Sequence, residues 1–341
     1  MGDRATTSLT APGLTRAGVE ALSERAGDPA WLRERRLAAW NAYERLPLPS
    51  LTYQEEWRRT DISGLDLPAF TVPRSFGDSP PEATGVAGAP NDRAGLLAHA
   101  DGVVTQASLD EEMRARGVIF GDLSSAAAEH PDLVRDRLMR IIPEFDGHKF
   151  RALHAALWSG GTFLYIPAGV EVALPLVAQS WLGTPGGALF PHTLVIAEAG
   201  SRATLIDVYA SSPGGDRTFA TAATELIIGA GAQFRYMAIQ QWGASMWEVG
   251  SLIRAHLERD ATLNSLVVGL GGGLVKMDVE SQLTGPGASS EMLGVYFGAG
   301  RQHFDFHTLQ EHRAPNTLSD LLYKGAVTDQ ARAVFAGLIR V

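Results

Sequence analysis

Val275-Lys276-Met277-Asp278-Val279-Glu280-Ser281-Gln282-Leu283, residues 275–283, alternates apolar and polar side chains. Val275, Met277, Val279 and Leu283 share one set of positions, and Lys276, Asp278, Glu280 and Gln282 the other. Successive side chains on a strand point to opposite faces, so the run predicts a strand with one buried and one wet face. Just after it stands the turn Pro286-Gly287-Ala288, one of a series. The others are Pro167-Ala168-Gly169, Ala199-Gly200-Ser201, Ala230-Gly231-Ala232 and Arg259-Asp260-Ala261. Their central positions, 169, 200, 231, 260 and 287, are separated by steps of 31, 31, 29 and 27. A near-constant period in this range marks a solenoid or a propeller, and a propeller blade needs roughly 40–50 residues. The shorter step predicts a three-sided parallel β-helix coil, which buries its apolar face only by stacking on its neighbours.

Upstream of Thr162 the texture is helical. Residues 15–46 read as helix, with Asp28 as a good N-cap and Pro29 at the first helical position. Leu32, Ala39, Tyr43 and Leu46 fall on one helical face, and Pro47 and Pro49 end the run. Glu56-Trp57-Arg58 reads as a short helix or as an anchor against another domain. Residues 71–92, with four prolines and three glycines, predict a linker. Val103-Val104 reads as strand, Asp110–Arg116 as helix and Gly117–Phe120 as strand. Residues 122–158 are mainly helical, broken near Pro143 and stopped by Ser159-Gly160-Gly161. The chain therefore divides into an N-terminal helical region (1–70), a linker (71–92), a mixed α/β lead-in (93–160) and a parallel β-helix core (161–341). The fold class is mainly β.

Composition removes several functions. The net charge is −9, and no basic stripe of the kind nucleic acid requires is visible. With no cysteine, disulfides and thiolate metal sites are excluded. The first twenty residues lack the apolar core of a signal peptide, and no run reaches the roughly 18 apolar residues of a membrane span. The reading is a cytoplasmic protein without a membrane partner. Gly269-Leu270-Gly271-Gly272-Gly273-Leu274-Val275-Lys276 is glycine-rich but lacks the Gly-Lys-Ser/Thr end of a phosphate loop and leads into a strand. No Gly-x-Ser-x-Gly elbow is present. Asp207, Glu225, Glu248 and Glu291 are acids that a β-helix glycosidase could use, but nothing in the sequence brings two together.

One cluster carries metal-compatible chemistry. His303, Asp305 and His307 alternate with Phe304 and Phe306, so on a strand the polar residues share a face opposite the phenylalanines. The two histidines would stand about 13 Å apart at ~3.3 Å per residue, too far for one ion. The expectation is a polar outer or interface face over a phenylalanine core, with no tightly held metal. His312 follows near a turn. His99, His130, His148, His154, His192 and His256 read as isolated structural histidines.

Taken together, several stretches resemble the SufB/SufD family of iron–sulfur cluster assembly proteins. They are Glu56-Trp57-Arg58-Arg59-Thr60-Asp61, Phe150 to Trp158 with Gly161 to Val170, His307-Thr308 with His312 and Pro315-Asn316-Thr317, and Tyr323-Lys324-Gly325 with Val334 to Gly337. The resemblance implies a right-handed parallel β-helix and a non-catalytic scaffold that pairs with a SufB-like subunit and a SufC-like ATPase. It implies that the cluster belongs to the assembled complex and is built on the partner's cysteine, so this chain holds no cofactor tightly. The lack of cysteine matches the SufD-type branch. Asp305, His307, His312 and Lys324 become interface candidates, and no residue is a catalytic or metal candidate. Family members continue past this point, so the core is expected to be truncated and the ATPase-docking region to be missing. A homodimer through the final coils is a further expectation. Two other readings compete: a β-helix polysaccharide lyase or hydrolase, and a His-based metal-binding barrel of the cupin type.

Overall fold

The computed structural model describes residues 13–52, 54–73, 90–142 and 147–341. The linker expected over 71–92 and the break near Pro143 therefore lie largely outside the described residues.

The core is a mainly β solenoid of about 6 turns. Its strands stack into two long walls. One wall is eight-stranded. In spatial order it holds β17 (Leu318–Val327), β15 (Ser289–Gly298), β13 (Thr262–Gly269), β11 (Gln233–Gln241), β8 (Arg202–Ser211), β5 (Leu176–Leu182), β1 (Gly95–Ala100) and β2 (Val103–Leu109). The other wall is ten-stranded. Its main path runs β18 (Arg332–Arg340), β16 (His303–His312), β14 (Leu274–Leu283), β12 (Met246–Leu257), β10 (Ala223–Ile228), β7 (His192–Ala197), β4 (Gly161–Ile166) and β3 (Ile119–Asp122). Pairing is parallel except at the start, where β1–β2 and β3–β4 are antiparallel.

The expected three-sided coil is corrected to a flattened one. From β12 onward each coil is spent on two long strands and two turns. A third side survives as β6 (Ala188–Leu189) and β9 (Thr218–Ala220), whose ladder continues onto the first residues of β12. β12 bends there at Gly250, which has φ +74° and no room for a Cβ beside Phe150. The turn glycines are equivalent corners. Gly169, Gly200, Gly231 and Gly287 all have φ between +67° and +76°, and Asp260 occupies the same corner at +56°. The N–H of 169, 200, 231, 260 and 287 each donates to the carbonyl of the corner turn in the next coil. Asn316, φ +59°, adds a further corner, in keeping with the tolerance of Asn and Asp for this region.

The helical N-terminal region clads the ten-stranded wall. The helix read over 15–46 is two helices, α1 (Arg16–Ala26) and α2 (Ala30–Arg45), separated at left-handed Gly27. Asp28 is not a cap. Its carboxylate is drawn to buried Arg36, 2.7 Å away, and Pro29 stands one position before the helix. The lead-in contributes α3 (Glu111–Ala115), capped by Asp110, then α4 (Leu123–Glu129), α5 (Pro131–Val134) and α6 (Lys149–Leu157). Leu32, Trp40, Trp57, Phe150, Leu157 and Trp158 pack against Phe163, Leu194, Phe219 and Val249 of the wall, forming a second core outside the solenoid. The first core fills the solenoid between its walls, from Leu97 to Phe306.

Candidate functional site

The cladding leaves a cleft of about 670 Å³ between residues 54–59, the start of α6 and the outer faces of β14, β16 and β18. Its floor is built by register. Lys276 of β14 pairs with Asp305 of β16, and Asp278 with His307. Phe304 and Phe306 point the other way, into the solenoid core, as the alternation predicts.

The polar side of that strand is not simply wet. Asp305 is fully buried, and Lys276 is 2% exposed. The ammonium of Lys276 donates to Asp305 Oδ2 at 3.0 Å and lies 5.0 Å from the centre of the Trp57 ring. Thr60 Oγ1 donates to the same Asp305 oxygen, which commits its one proton and leaves its lone pairs for His303 Nε2 at 3.0 Å. His303 therefore carries its proton on Nε2. Burial pushes its pKa down, which Asp305 opposes, so it is neutral near pH 7. His307 Nε2 faces both Asp305 Oδ1 at 2.9 Å and Lys276 Nζ at 3.3 Å. Of the two, the Lys276 contact has hydrogen-bond geometry, with the ammonium as donor, whereas the approach to Asp305 Oδ1 is close without it. Burial opposes ionisation of Asp305, but His307, Lys276 and Thr60 outweigh it and hold its pKa below the ordinary value.

Around this buried pair the cleft wall is charged. Arg151 of α6 reaches Asp278 at 3.4 Å and Glu280 at 4.0 Å. Arg254 binds Glu280 at 2.7 Å and the Ile141 carbonyl at 2.6 Å. The arrangement ties the N-terminal segment to a late coil and presents a mixed-charge surface suited to another polar macromolecule. Among the described residues no group of three or more His, Asp and Glu is placed to hold a metal ion.

The four interface candidates separate. Asp305 and His307 meet in the cleft. His312 lies at the end of β16, bonded to Thr317 at 2.7 Å and Ser319 at 3.0 Å. Lys324 is exposed on β17 of the other wall. Sequence reasoning missed Lys276, which reads as one of several wet positions. The signal that could have found it is Trp57, an aromatic in a charged segment that needs a burial site. Two histidines read as isolated are joined. His154 donates from Nδ1 to the Thr221 carbonyl at 2.9 Å, and its Nε2 meets His192 Nδ1 at 3.0 Å. His192 continues to Glu225 at 3.2 Å, whose carboxylate collects the N–H groups of Met139, Ile141 and Ile142. Burial, then the neighbouring His192, hold the His154 pKa well below its ordinary value.

The acids considered for carbohydrate cleavage do not assemble into a pair facing a groove. Asp207, Glu225 and Glu248 are buried, each in its own hydrogen-bond set. Glu291 lies on the outer face of β15, bonded to Asn264. An open-ended pair of walls also replaces the closed barrel that a cupin-type reading requires.

Fold and site define a β-solenoid whose N-terminal cladding is latched to its later coils. Two family models cover nearly all of this chain. Residues 20–177 match the SufBD protein N-terminal region, and residues 180–341 match the SUF system FeS cluster assembly SufBD core domain. The chain belongs to the SufB/SufD family of the SUF iron–sulfur cluster assembly system. Among its relatives, iron-sulfur cluster assembly protein SufD of Bacillus subtilis is 29% identical over 95% of this chain and 74% of its own length. SufB of the same organism is 27% identical over 96% of this chain and 72% of its own length. An iron-sulfur cluster assembly SufBD family protein of Staphylococcus epidermidis is likewise 27% identical. No helix among the described residues is long and apolar enough to cross a membrane.

Proposed function

We propose that this chain is a non-catalytic scaffold subunit of a SUF-type assembly complex, pairing with a SufB-like subunit and a SufC-like ATPase in the cytoplasm. The observation that carries the reading is the latch. Trp57 and Thr60, from the N-terminal family segment, close over Lys276 and Asp305 of the core, so the two family regions meet in one platform. A platform with a mixed-charge cleft and no thiolate suits holding partners in register better than building a cluster on its own side chains. Under this reading the cluster forms on the SufB-like partner, and nucleotide is hydrolysed on the SufC-like chain.

Co-expression with the SufB-type and SufC-type proteins of one SUF system tests it. The expected result is a complex that survives affinity purification, with ATPase activity that follows the SufC-type chain and cluster absorbance that requires the SufB-type chain. Failure to co-purify, or ATP turnover or a retained cluster on this chain alone, overturns the proposal.

A further inference from the structure

Glu248 lies on β12, where Met246 points into the solenoid core and Val249 packs on the cladding side. It shares the inward face of Met246 and is fully buried. Both of its hydrogen bonds fall on one oxygen. Oε2 accepts from Gln240 Nε2 and from Trp242 Nε1, each at 2.6 Å. Oε1 has no donor among the described residues, and neither has the buried Gln240 Oε1. These two oxygens belong to an amide and a carboxyl group that are already in contact.

A buried carboxylate is stabilised by a cation or by a full set of donors. Asp305 has Lys276, and Glu225 has His192 and three backbone N–H groups. Asp207, in the same interior, accepts from Thr193 and from the hydroxyls of Tyr209 and Tyr236. Glu248 has neither kind of support. Its neighbours in register on β9 and β14 are Ala220 and Val275. Lys276, next along β14, is turned to the other face and bound to Asp305. From β11 come the neutral Gln240 and the phenol of Tyr236, which is turned to Asp207. From β8 the ring of Tyr209 lies 6.0 Å from that of Trp242, with Asp207 beyond it, and neither brings positive charge. Ser251 Oγ accepts from the Ala222 N–H at 2.9 Å and makes no hydrogen bond to the free oxygen. Burial pushes the Glu248 carboxyl up to about 7, against Ser251, Trp242 and Gln240, which favour the ionised form.

We infer that Glu248 is a proton-binding site of the solenoid interior, whose protonated carboxyl pairs with the Gln240 amide and whose ionisation loosens the corner at Trp242. A proton on Oε1 supplies the donor that Gln240 Oε1 lacks, so acid and amide join through two hydrogen bonds. Its loss leaves two buried acceptors and an uncompensated charge, which the fold relieves by letting water reach the corner. The backbone that must yield there ties three successive coils together. The Gln240 carbonyl accepts from the Leu270 N–H at 2.9 Å, and the Trp242 carbonyl from the Gly272 N–H at 3.0 Å. The Gly243 N–H donates to Ser211 Oγ at 2.9 Å. Gly271 leaves no room for a Cβ against the Trp242 carbonyl, so the coils meet here at backbone contact. The corner also adjoins the start of β12, where the third side of the solenoid ends.

Urea unfolding of the full chain across pH, beside Glu248→Gln, tests the inference. The variant offers an amide N–H where the acid offers O–H, so it is expected to fold and to lose the titration. The folded-state value is raised from 4.5, so the stabilisation is complete below pH 4.5 and is lost as pH rises to about 7. Relative to the variant, the unfolding constant of the native chain is expected to rise about tenfold per pH unit through that window and to level off above it. Above the window, hydrogen exchange at the Gly243 and Gly272 amides is expected to be faster in the native chain than in the variant at the same pH. Trp242→Phe removes a donor to the ionised form, so it is expected to extend the window upward, and it serves as the test if Glu248→Gln does not fold. A ratio of unfolding constants that stays flat with pH overturns the inference. So does equal exchange at the corner in both chains, and so does a Trp242→Phe chain that is weakened without a shift of the window.

Discussion

Lys276 and Leu266 both point outward, from opposite walls of one solenoid, and their surroundings invert their chemistry. The lysine is sealed beneath Trp57 with Asp305 as counter-ion, whereas the leucine stands partly in water. The difference lies in what covers each wall. Over β4, β7 and β10, and again at Lys276 and Asp305, the ten-stranded wall is buried on both faces, as parallel sheets usually are, because the helices and residues 54–73 lie across it. That cover brings its own polar groups, so an outward lysine is stabilised there only with a complete set of partners. Among the described residues, no such layer lies over the aliphatic row Ile206, Met237, Leu266 and Leu293 of the eight-stranded wall. An outward residue of a solenoid is therefore defined by the layer laid over it, and burial cannot be inferred from alternation alone.

If the cladding is a true second core, its large side chains contribute as core residues do. Phe150→Ala, at a fully buried ring stacked near Trp57 and Phe219, is expected to cost about 3–5 kcal/mol in urea unfolding. A cost below about 1 kcal/mol would show the helices to be loosely attached and would break the distinction between the walls.

The latch beneath that layer should be next in size. Asp305→Asn leaves the Lys276 ammonium buried without its counter-ion and is expected to cost about 3 kcal/mol at pH 7. The folded-state pKa of Asp305 is depressed, so this stability is present above the unfolded carboxyl value near 3.8 and is lost as pH falls through the folded one. Denaturant curves of the native chain and the variant should therefore converge in acid. A gap that persists unchanged well below pH 3.8 would mean that the variant acts through packing and not through charge.

The smallest effect belongs to the uncovered wall. Leu266→Glu, measured on dilute monomer, is expected to change stability by no more than about 0.5 kcal/mol, because that side chain already meets water. A large loss would reveal a cover on this wall and remove the contrast with Lys276.

Much of the solenoid was legible in the sequence. The spacing of Gly169, Gly200, Gly231, Asp260 and Gly287 announces the coil because a tight corner demands a left-handed backbone, which glycine adopts freely and Asp tolerates. The alternation around Phe304 and Phe306 correctly placed both rings inside, since side-chain direction along a strand is local. Coil shape was less legible. A step near thirty residues fits three short sides or two long ones, and the choice rests on how neighbouring coils stack.

What the amino-acid order determined by itself is whatever depends on neighbours in the chain: the corners, the strand alternation, the helical N-terminal region and the absence of thiol chemistry. What only the tertiary structure decided is whatever depends on residues far apart in the chain, from 38 positions for His154 and His192 to 245 for Thr60 and Asp305. Thr60 meets Asp305, Trp57 covers Lys276, and His154 finds His192 because folding brings together segments that no local period relates. A side chain's charge state and exposure are set by the medium around it, and in this fold that medium is supplied by distant parts of the chain.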